Sequence, residues 1–175
     1  MDIWLKKVSV LDGNEYFELL NELSSYQDVY AKPIPEPIDY EQYKYFIEAR
    51  VKLSQSKEIS SNRIPVTTYW VMCKNKPIGY ATLKHEANLD KVGGHLGCCL
   101  KKDYQNKGIG KIVSEELSKI AYEELGIEKL IYTSKSENKQ SQHSLEKIGA
   151  DYICTKDGYY FYEVDLIKKY GGKRR

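Results

Sequence analysis

The chain has 175 residues, of which 27 are basic and 25 acidic, so its formal net charge is only +2. This length suits one domain with a single hydrophobic core. The balanced charge argues against a general nucleic-acid binder, which usually carries a strongly basic face. No apolar run approaches the roughly 20 residues of a membrane helix, and the first residues lack the apolar stretch of a signal peptide. We therefore expect a cytoplasmic protein that binds neither nucleic acid nor membrane.

The N-terminal part of the chain predicts one strand and two helices. Alternating apolar residues indicate a strand at 3–10, and an apolar stripe with helical spacing follows at 15–25. The proline-punctuated segment 32–39 can be neither a helix nor a central strand. Asp39 suits the N-cap of a second helix, from Tyr40 to about Ser56, and residues 54–63 form a polar linker.

The middle of the chain predicts a β-meander. Residues 66–73 (VTTYWVMC) are rich in β-branched and aromatic side chains, as is typical of a strand. A turn at 74–77 leads to a returning strand at 78–85, and a turn at 88–90 leads to a third strand at 94–100. Strands that follow one another so closely favour antiparallel pairing.

The last part of the chain alternates between helix and strand. Apolar residues with a 3.6-residue period begin at Ile109 and predict a helix. Gly126 suits the C-cap that ends this helix. The remaining predicted elements are a strand at 129–133, a helix at 140–148, strands at 152–155 and 159–166, and a solvated basic tail at 167–175.

The cysteines do not suggest a metal site. Cys73, Cys98, Cys99 and Cys154 form neither a CxxC pair nor a Cys/His cluster at zinc spacing. We interpret them as reduced, small core residues, with a catalytic thiol at Cys98 or Cys99 as the alternative.

The stretch KKDYQNKGIGK, residues 101–111, has the composition of a phosphate-binding loop that opens a helix. A P-loop is excluded, because Gln105 stands where its first glycine would be and Ile112 where its hydroxyl would be. A dinucleotide fingerprint begins at Gly108 and Gly110, but Val113 occupies the position of its third glycine. The remaining pattern is Q-x-x-G-x-G, from Gln105 to Gly110.

This pattern resembles the acyl-coenzyme-A pyrophosphate loop of the GNAT superfamily of N-acetyltransferases, which reads R/Q-x-x-G-x-G/A. Glycines let the backbone come close to an anion, and the N–H groups and dipole of a helix N-terminus attract its charge. Lys107 and Lys111 would add positive potential. The physical requirements of a pyrophosphate site are therefore met by this stretch.

A second motif supports the same resemblance. Residues 138–150 (NKQSQHSLEKIGA) resemble the superfamily's N-x-x-S/A-x-x-x-x-E-K-x-G-F segment, and the whole likeness covers roughly residues 65–166. IPVTTYWV, IGYATLKHEAN and GGHLG together also resemble a bacterial subgroup of predicted acetyltransferases. That narrower likeness implies no particular substrate.

The resemblance implies an α/β fold with a mixed, mostly antiparallel central sheet. Helices would cover both faces, and the fourth and fifth strands would splay apart in a V. One acetyltransferase domain would span residues 1–175, with 1–63 as the acceptor side, 64–166 as the acyl-CoA-binding core and 167–175 as a basic tail. Members of the superfamily often dimerise, which leaves a homodimer open.

The resemblance also implies acetyl-CoA as the cosubstrate and no metal. The strand before the loop would pair its backbone with the pantetheine arm, and an N–H there would polarise the thioester carbonyl. Asn138 would bind the pantetheine arm or simply cap a helix, and Ser141 and Lys147 would contact phosphates or lie on a solvated helix face. The implied coenzyme-binding residues are Cys98, Cys99, Leu100, Gln105, Asn106, Lys107, Gly108, Ile109, Gly110, Lys111, Asn138 and Ser141.

Direct attack of a primary amine on the thioester needs a base for the amine proton and an acid for the departing thiolate. Histidine titrates near neutrality, although a histidine on a strand can equally be a hydrogen-bonded structural residue. The candidates for the base are His85, Glu86 and His95. Many members of the superfamily place a tyrosine acid where this chain has Leu145, so Tyr159 and Tyr160 are the alternatives.

The N-terminal helices would form the acceptor side. Tyr30, Glu36, Asp39 and Tyr43, around their connection, would suit a cationic amine on a small molecule or a peptide. Two other functions stay open: an acyl-CoA-binding module with little or no catalysis, which Leu145 favours, and a nucleotide-binding protein that uses the same loop.

Overall fold

The computed structural model of the chain describes residues 2–26, 32–56, 64–87 and 93–171. The chain divides into two compact units, Met1–Leu83 with Gly97–Val113, and Lys84–Leu96 with Ser114–Arg175. The turn expected at 88–90 and most of the expected linker at 54–63 lie outside the described residues. The prediction of a single domain stays a prediction.

The first unit contains a four-stranded sheet with the order β1-β2-β3-β4. Its strands are β1 (Ile3–Lys7), β2 (Val66–Cys73), β3 (Lys76–Lys84) and β4 (Leu96–Leu100). β1 pairs antiparallel with β2, and the short Lys74-Asn75 connection makes β2 and β3 antiparallel. The Lys84 N–H donates to the His95 carbonyl and the Lys101 N–H to the Ile78 carbonyl, so β3 and β4 also run antiparallel. The predicted meander is confirmed.

Two helices belong to the first unit, α1 (Asn14–Ser24) and α2 (Tyr40–Gln55). The predicted N-cap of α2 is confirmed, because the Gln42 N–H donates to Asp39 Oδ1 at 2.8 Å and the Asp39 N–H to Gln42 Oε1 at 3.0 Å. This reciprocal pair is a capping box. It begins the helix directly after the proline-rich segment.

A buried carboxylate joins the elements of this unit. Asp12 accepts hydrogen bonds from Trp70 Nε1 at 2.7 Å and from the Ser9 N–H at 2.8 Å, and it also binds Lys6. The Tyr43 hydroxyl donates to the Asp12 backbone carbonyl at 3.0 Å. Side chains from β1, β2 and α2 thus meet at one residue, which fixes how these elements pack.

The second unit contains a three-stranded sheet with the order β5-β7-β6. Both pairings are antiparallel. Its elements are β5 (Lys129–Lys135), α4 (Lys139–Lys147), β6 (Asp151–Lys156), β7 (Tyr159–Asp165) and α5 (Leu166–Tyr170). Helix α3 (Ile109–Glu123) begins in the first unit and ends in the second.

The C-terminal prediction was wrong in one respect. Leu166 was expected to end a strand and residues 167–175 to form a solvated tail, yet Leu166–Tyr170 is helical. Asp165 caps this helix by accepting from the Lys168 N–H at 2.8 Å, and the Tyr170 ring lies 5.8 Å from that of Tyr122. Residues 172–175 lie outside the described residues.

The architecture is mixed α/β with antiparallel sheets and helices, as predicted. Within the described ranges, no helix has both the length and the apolar composition needed to cross a membrane. The splay between the fourth and fifth strands and the covering of both sheet faces involve both units, and they stay predictions.

Candidate functional site

The glycine stretch after β4 forms a loop that ends in helix α3. One turn of 3₁₀ helix (Lys102–Tyr104) comes first, and Asn106 and Gly108 then adopt left-handed backbone angles, with φ of 58° and 77°. The Ile109 side chain is buried, which anchors the loop. A side chain added at Gly108 or Gly110 would meet no atom within 4 Å, so a ligand can approach the backbone at both positions.

The start of α3 has the features of an anion site. The Gly108 carbonyl accepts from the N–H groups of Lys111 and Ile112, at 3.2 and 3.4 Å, and so forms the first turn. The N–H groups of the residues before them have no intrahelical acceptor. Together with the helix dipole, these N–H groups favour a bound phosphate.

The side chain of Gln105 holds the loop against β4. Its Nε2 donates to the Leu100 carbonyl at 2.9 Å. Gln105 therefore acts on the loop by positioning it.

A second anchor connects the start of the loop to α1. Lys101 forms an ion pair with Glu22 at 2.8 Å, and the Lys102 N–H donates to the Tyr26 hydroxyl at 3.3 Å. That hydroxyl in turn donates to Glu22 Oε1 at 2.8 Å. Although burial alone would raise the pKa of Glu22, the bonds from Lys101 and Tyr26 lower it. Sequence reasoning missed this anchor, because only the i, i+4 spacing of Glu22 and Tyr26 is visible locally.

β4 is the last strand of its sheet, so the second edge of its backbone is unpaired within that sheet. The His95 carbonyl and the Lys101 N–H bond to β3, and alternate residues of an antiparallel strand share one edge. Cys99 therefore directs its backbone toward β3, whereas Cys98 and Leu100 direct theirs to the outer edge. Of the three residues predicted to pair with pantetheine, these two have the suitable orientation.

Of the two cysteines of β4, Cys99 is buried and Cys98 is half-buried. Burial raises the pKa of the Cys98 thiol to about 12 and that of Cys99 to about 11. A nucleophilic cysteine needs a lowered pKa, because the thiolate is the reactive form. The alternative of a catalytic thiol is thus disfavoured.

In the second unit, His95 is buried. Its backbone N–H, its backbone carbonyl and its ring nitrogen Nδ1 all form hydrogen bonds. Its N–H donates to the Ile131 carbonyl at 2.8 Å, and the Ile131 N–H donates to His95 Nδ1 at 2.9 Å. Burial lowers the pKa of His95, and the charge of Lys84 acts in the same direction. With Nδ1 occupied by a donor, the ring proton lies on Nε2. This bonding disfavours the predicted role of His95 as the base.

The other candidate catalytic residues are more accessible. Glu86 is exposed and His85 is half-buried, both directly after β3. Tyr159 and Tyr160 are half-buried on β7, whereas Leu145 is only 7% exposed and packs as an apolar residue. Leu145 therefore offers no proton, in agreement with the sequence.

Asn138 caps α4. Its Oδ1 accepts from the Ser141 N–H at 3.0 Å, so the capping interpretation of Asn138 is confirmed. The amide nitrogen of Asn138 is the group that could still serve a coenzyme. Both residues belong to the second unit, and their placement relative to the loop stays a prediction.

The predicted acceptor side needs one correction. Tyr43 is fully buried and bonded to Asp12, so it is a core residue and does not line a substrate site. Asp39 is committed to capping α2, Glu36 is exposed, and Tyr30 lies outside the described residues. In the described part of the chain, no group of three or more His, Cys, Asp and Glu residues could hold a metal ion.

Comparison with known proteins identifies the family. Residues 2–151 match the family described as an acetyltransferase (GNAT) domain, and this match runs through parts of both units. No curated protein sequence matches the chain.

Solved structures show the same fold at low sequence identity. The N-acetyltransferase PseH of Campylobacter jejuni, in complex with acetyl coenzyme A, has a TM-score of 0.63 at 15% identity, covering 94% of this chain and 99% of that one. The spermidine/spermine N-acetyltransferase SpeG of Vibrio cholerae has a TM-score of 0.63 at 14% identity, covering 99% and 100%. A GNAT-family acetyltransferase of Streptococcus pneumoniae has a TM-score of 0.61 at 17% identity, covering 94% and 99%. The chain belongs to the GNAT acetyltransferase family.

Proposed function

We propose that this protein is an acetyl-CoA-dependent N-acetyltransferase that moves an acetyl group to a primary amine. One observation carries the proposal: the N-terminus of α3 has open space beside Gly108 and Gly110, and it follows the last strand of the four-stranded sheet by one short loop. Family membership and the acetyl coenzyme A complex of PseH support the choice of coenzyme.

The coenzyme would be held mainly by backbone groups. The N–H groups at the start of α3 would bind the pyrophosphate, with Asn106, Lys107 and Lys111 beside it. The outward backbone groups of Cys98 and the N–H of Leu100 would pair with the pantetheine arm, since the Leu100 carbonyl already accepts from Gln105. The family resemblance also assigns coenzyme binding to Asn138, through its amide nitrogen, and to Ser141.

The reaction would proceed by direct attack in a ternary complex. The amine nitrogen attacks the thioester carbonyl carbon, a C–N bond forms, the C–S bond breaks, and coenzyme A leaves as a thiolate. Glu86 or His85 would take the amine proton, and Tyr159, Tyr160 or water would protonate the thiolate. A Glu86→Gln or His85→Gln variant should then lower kcat more than it lowers acetyl-CoA affinity.

Thermal unfolding with added coenzyme tests the proposal. A ligand that binds only the folded state stabilises it by about 2.7 kcal/mol at a concentration one hundred times its Kd. Acetyl-CoA should therefore raise the Tm, whereas ATP and NAD should not. A shift with ATP or NAD but none with acetyl-CoA would overturn the proposal in favour of a nucleotide-binding protein.

A second candidate function is acyl-CoA binding with little or no catalysis. The buried Leu145, in place of the superfamily's usual tyrosine, favours it. The two functions differ in turnover alone. Tight acetyl-CoA binding without release of coenzyme A to any amine would support the binding module.

A further inference from the structure

The chain changes its hydrogen-bonding partner at His95, directly before β4. In a regular strand, the N–H and the carbonyl of one residue point to the same neighbouring strand. At His95 they do not: its N–H donates to the Ile131 carbonyl on β5 at 2.8 Å, whereas its carbonyl accepts from the Lys84 N–H on β3 at 2.7 Å. The backbone therefore leaves β5 and joins β3 within a single residue.

The His95 ring forms a second bond to β5 at this point. The Ile131 N–H donates to Nδ1 at 2.9 Å, so His95 alone occupies both backbone groups of Ile131, and it is only 4% exposed. β5 is the last strand of its sheet, and the backbone N–H groups of such a strand are a template for pairing with another strand. The ring thus takes the place that a backbone carbonyl of another strand would fill.

The residue before His95 is pressed against β5. A side chain added at Gly94 would collide with the Ile131 carbonyl and lie 2.8 Å from the Tyr132 Cα, so this close approach of two backbones requires glycine. The Gly94 N–H donates to Thr133 Oγ1 at 3.2 Å, which makes Thr133 a second side chain in the place of a backbone partner. The chain therefore enters β4 from a fixed position on β5.

The change of partner at His95 sets the direction of the backbone groups in β4. Successive residues of a strand alternate in direction, and a shift of one residue reverses every position that follows. Because the His95 carbonyl points to β3, the Cys98 groups point to the outer edge. If that carbonyl had stayed with its N–H on β5, Cys98 would face β3 and could not pair with pantetheine.

We infer that His95 is a positioning residue for the coenzyme: by holding both backbone groups of Ile131, it fixes the residue at which the chain changes partner, and so directs the Cys98 backbone outward to the pantetheine arm. The inference rests on the proposed function and adds a residue to it. In this role the ring accepts the Ile131 N–H and exchanges no proton with the amine.

Two replacements of His95 separate positioning from catalysis. His95→Leu leaves the Ile131 N–H without an acceptor, whereas the amide oxygen in His95→Asn can still accept from it. His95→Leu should weaken acetyl-CoA binding about tenfold, the effect of losing one buried hydrogen bond. His95→Asn should restore most of that affinity with little change in kcat. Calorimetry and initial rates, at a temperature where the variants are folded, measure both.

A fragment of the coenzyme locates the effect. The nucleotide fragment of coenzyme A ends at the pyrophosphate and lacks the pantetheine arm. It should bind His95→Leu as tightly as the unchanged protein, because the N-terminus of α3 is intact. An equal loss of affinity for the fragment and for acetyl-CoA would show a general disturbance of the fold and overturn the positioning role.

Thr133→Val is a milder variant that conserves the shape of the side chain. It removes only the acceptor of the Gly94 N–H, so it should weaken acetyl-CoA binding by about threefold, and it decides the question if His95→Leu does not fold. Asp165→Ala is the matched control. It removes the N-cap of α5, so it should lower the Tm and leave acetyl-CoA affinity unchanged.

Two further results would overturn the inference. One is unchanged acetyl-CoA affinity in His95→Leu, or in Thr133→Val where His95→Leu does not fold. The other is a large loss of kcat in His95→Asn with affinity retained, which would make His95 the base. Each can occur while the unchanged protein binds acetyl-CoA and the proposed function stands. A failure of the unchanged protein to bind acetyl-CoA would instead remove the proposed function, and the inference with it.

Discussion

The Gln105 side chain donates a hydrogen bond to the Leu100 carbonyl at 2.9 Å. This bond joins the loop before α3 to the last residue of β4. The two parts of the proposed coenzyme site in the first unit, the helix N-terminus and the strand edge, are thus connected by one side chain. Gln105 in the Q-x-x-G-x-G pattern therefore has a positioning role that the pattern alone does not reveal.

Gln105→Leu should break this connection. Losing one partly buried hydrogen bond costs about 1 kcal/mol of unfolding free energy, and a loosened loop should also bind acetyl-CoA less tightly. Urea unfolding and calorimetry would measure the two effects. Gln105→Arg keeps an N–H donor and should retain more of both; equal behaviour of the two variants would argue against the positioning role.

The two glycines of the loop offer a second test. Gly110 lies in the first turn of α3 with open space beside it. Gly110→Ala should therefore stabilise the free protein by about 0.5–1 kcal/mol, since alanine suits a helix better than glycine. Because the superfamily pattern accepts alanine at this position, acetyl-CoA affinity should stay near that of the unchanged protein.

Gly108→Ala provides the comparison. Its left-handed φ of 77° makes alanine unfavourable by about 1–2 kcal/mol, so this variant should lose both stability and affinity. The two variants should therefore change stability in opposite directions, and only Gly108→Ala should weaken acetyl-CoA binding. Unchanged acetyl-CoA affinity in Gly108→Ala would show that the pyrophosphate lies elsewhere.

The buried ring of His95 predicts a pH dependence of stability. Its folded-state pKa lies below the ordinary value of 6.5, because burial disfavours the charged form. Between the two pKa values the unfolded chain binds more protons, so unfolding free energy should fall as the pH drops below about 6.5, by up to about 1.4 kcal/mol per pH unit. Urea unfolding at a series of pH values would measure this slope.

His95→Asn should flatten that dependence, since the Asn oxygen can accept from the Ile131 N–H but does not titrate. His95→Leu should cost about 1–3 kcal/mol at all pH values by leaving that N–H unpaired. His143→Asn, at an exposed position on α4, is the control. A wild-type slope that persists in His95→Asn would contradict this account.

Asp12 should be the most sensitive polar position of the first unit. Asp12→Ala leaves the buried Trp70 Nε1 and the Ser9 N–H without their acceptor, so we expect a loss of about 3 kcal/mol. Denaturant unfolding monitored by tryptophan fluorescence would report it. Asp39→Ala, which removes only an exposed helix cap, should cost about 1 kcal/mol, and equal losses would contradict the assigned role of Asp12.

Local patterns were sufficient to predict most elements of the fold. The strand at 66–73 and the helix starts at Tyr40 and Ile109 lie where they were predicted, because side-chain periodicity and capping residues are local signals. Helix α5 was missed, since the apolar alternation of β7 continues into Leu166. The N-cap residue Asp165 was the signal that could have revealed it.

Contacts between distant residues could not be predicted in the same way. His95 and Ile131 are 36 positions apart, Asp12 and Trp70 are 58 apart, and Tyr26 and Lys102 are 76 apart. No local periodicity encodes such pairs, because they depend on how strands and helices pack. As a result, Tyr43 and His95 were predicted as site residues by position, whereas their bonds give them structural roles.

The most direct test of the central claim is the release of free thiol from acetyl-CoA, measured with and without amines, with the acetylated amine identified by mass spectrometry. We expect release that depends on the amine and yields one N-acetylated product for each coenzyme A formed. Acetyl-CoA binding without any amine-dependent release, across amines with and without an oxyanion, would contradict the assignment as an N-acetyltransferase.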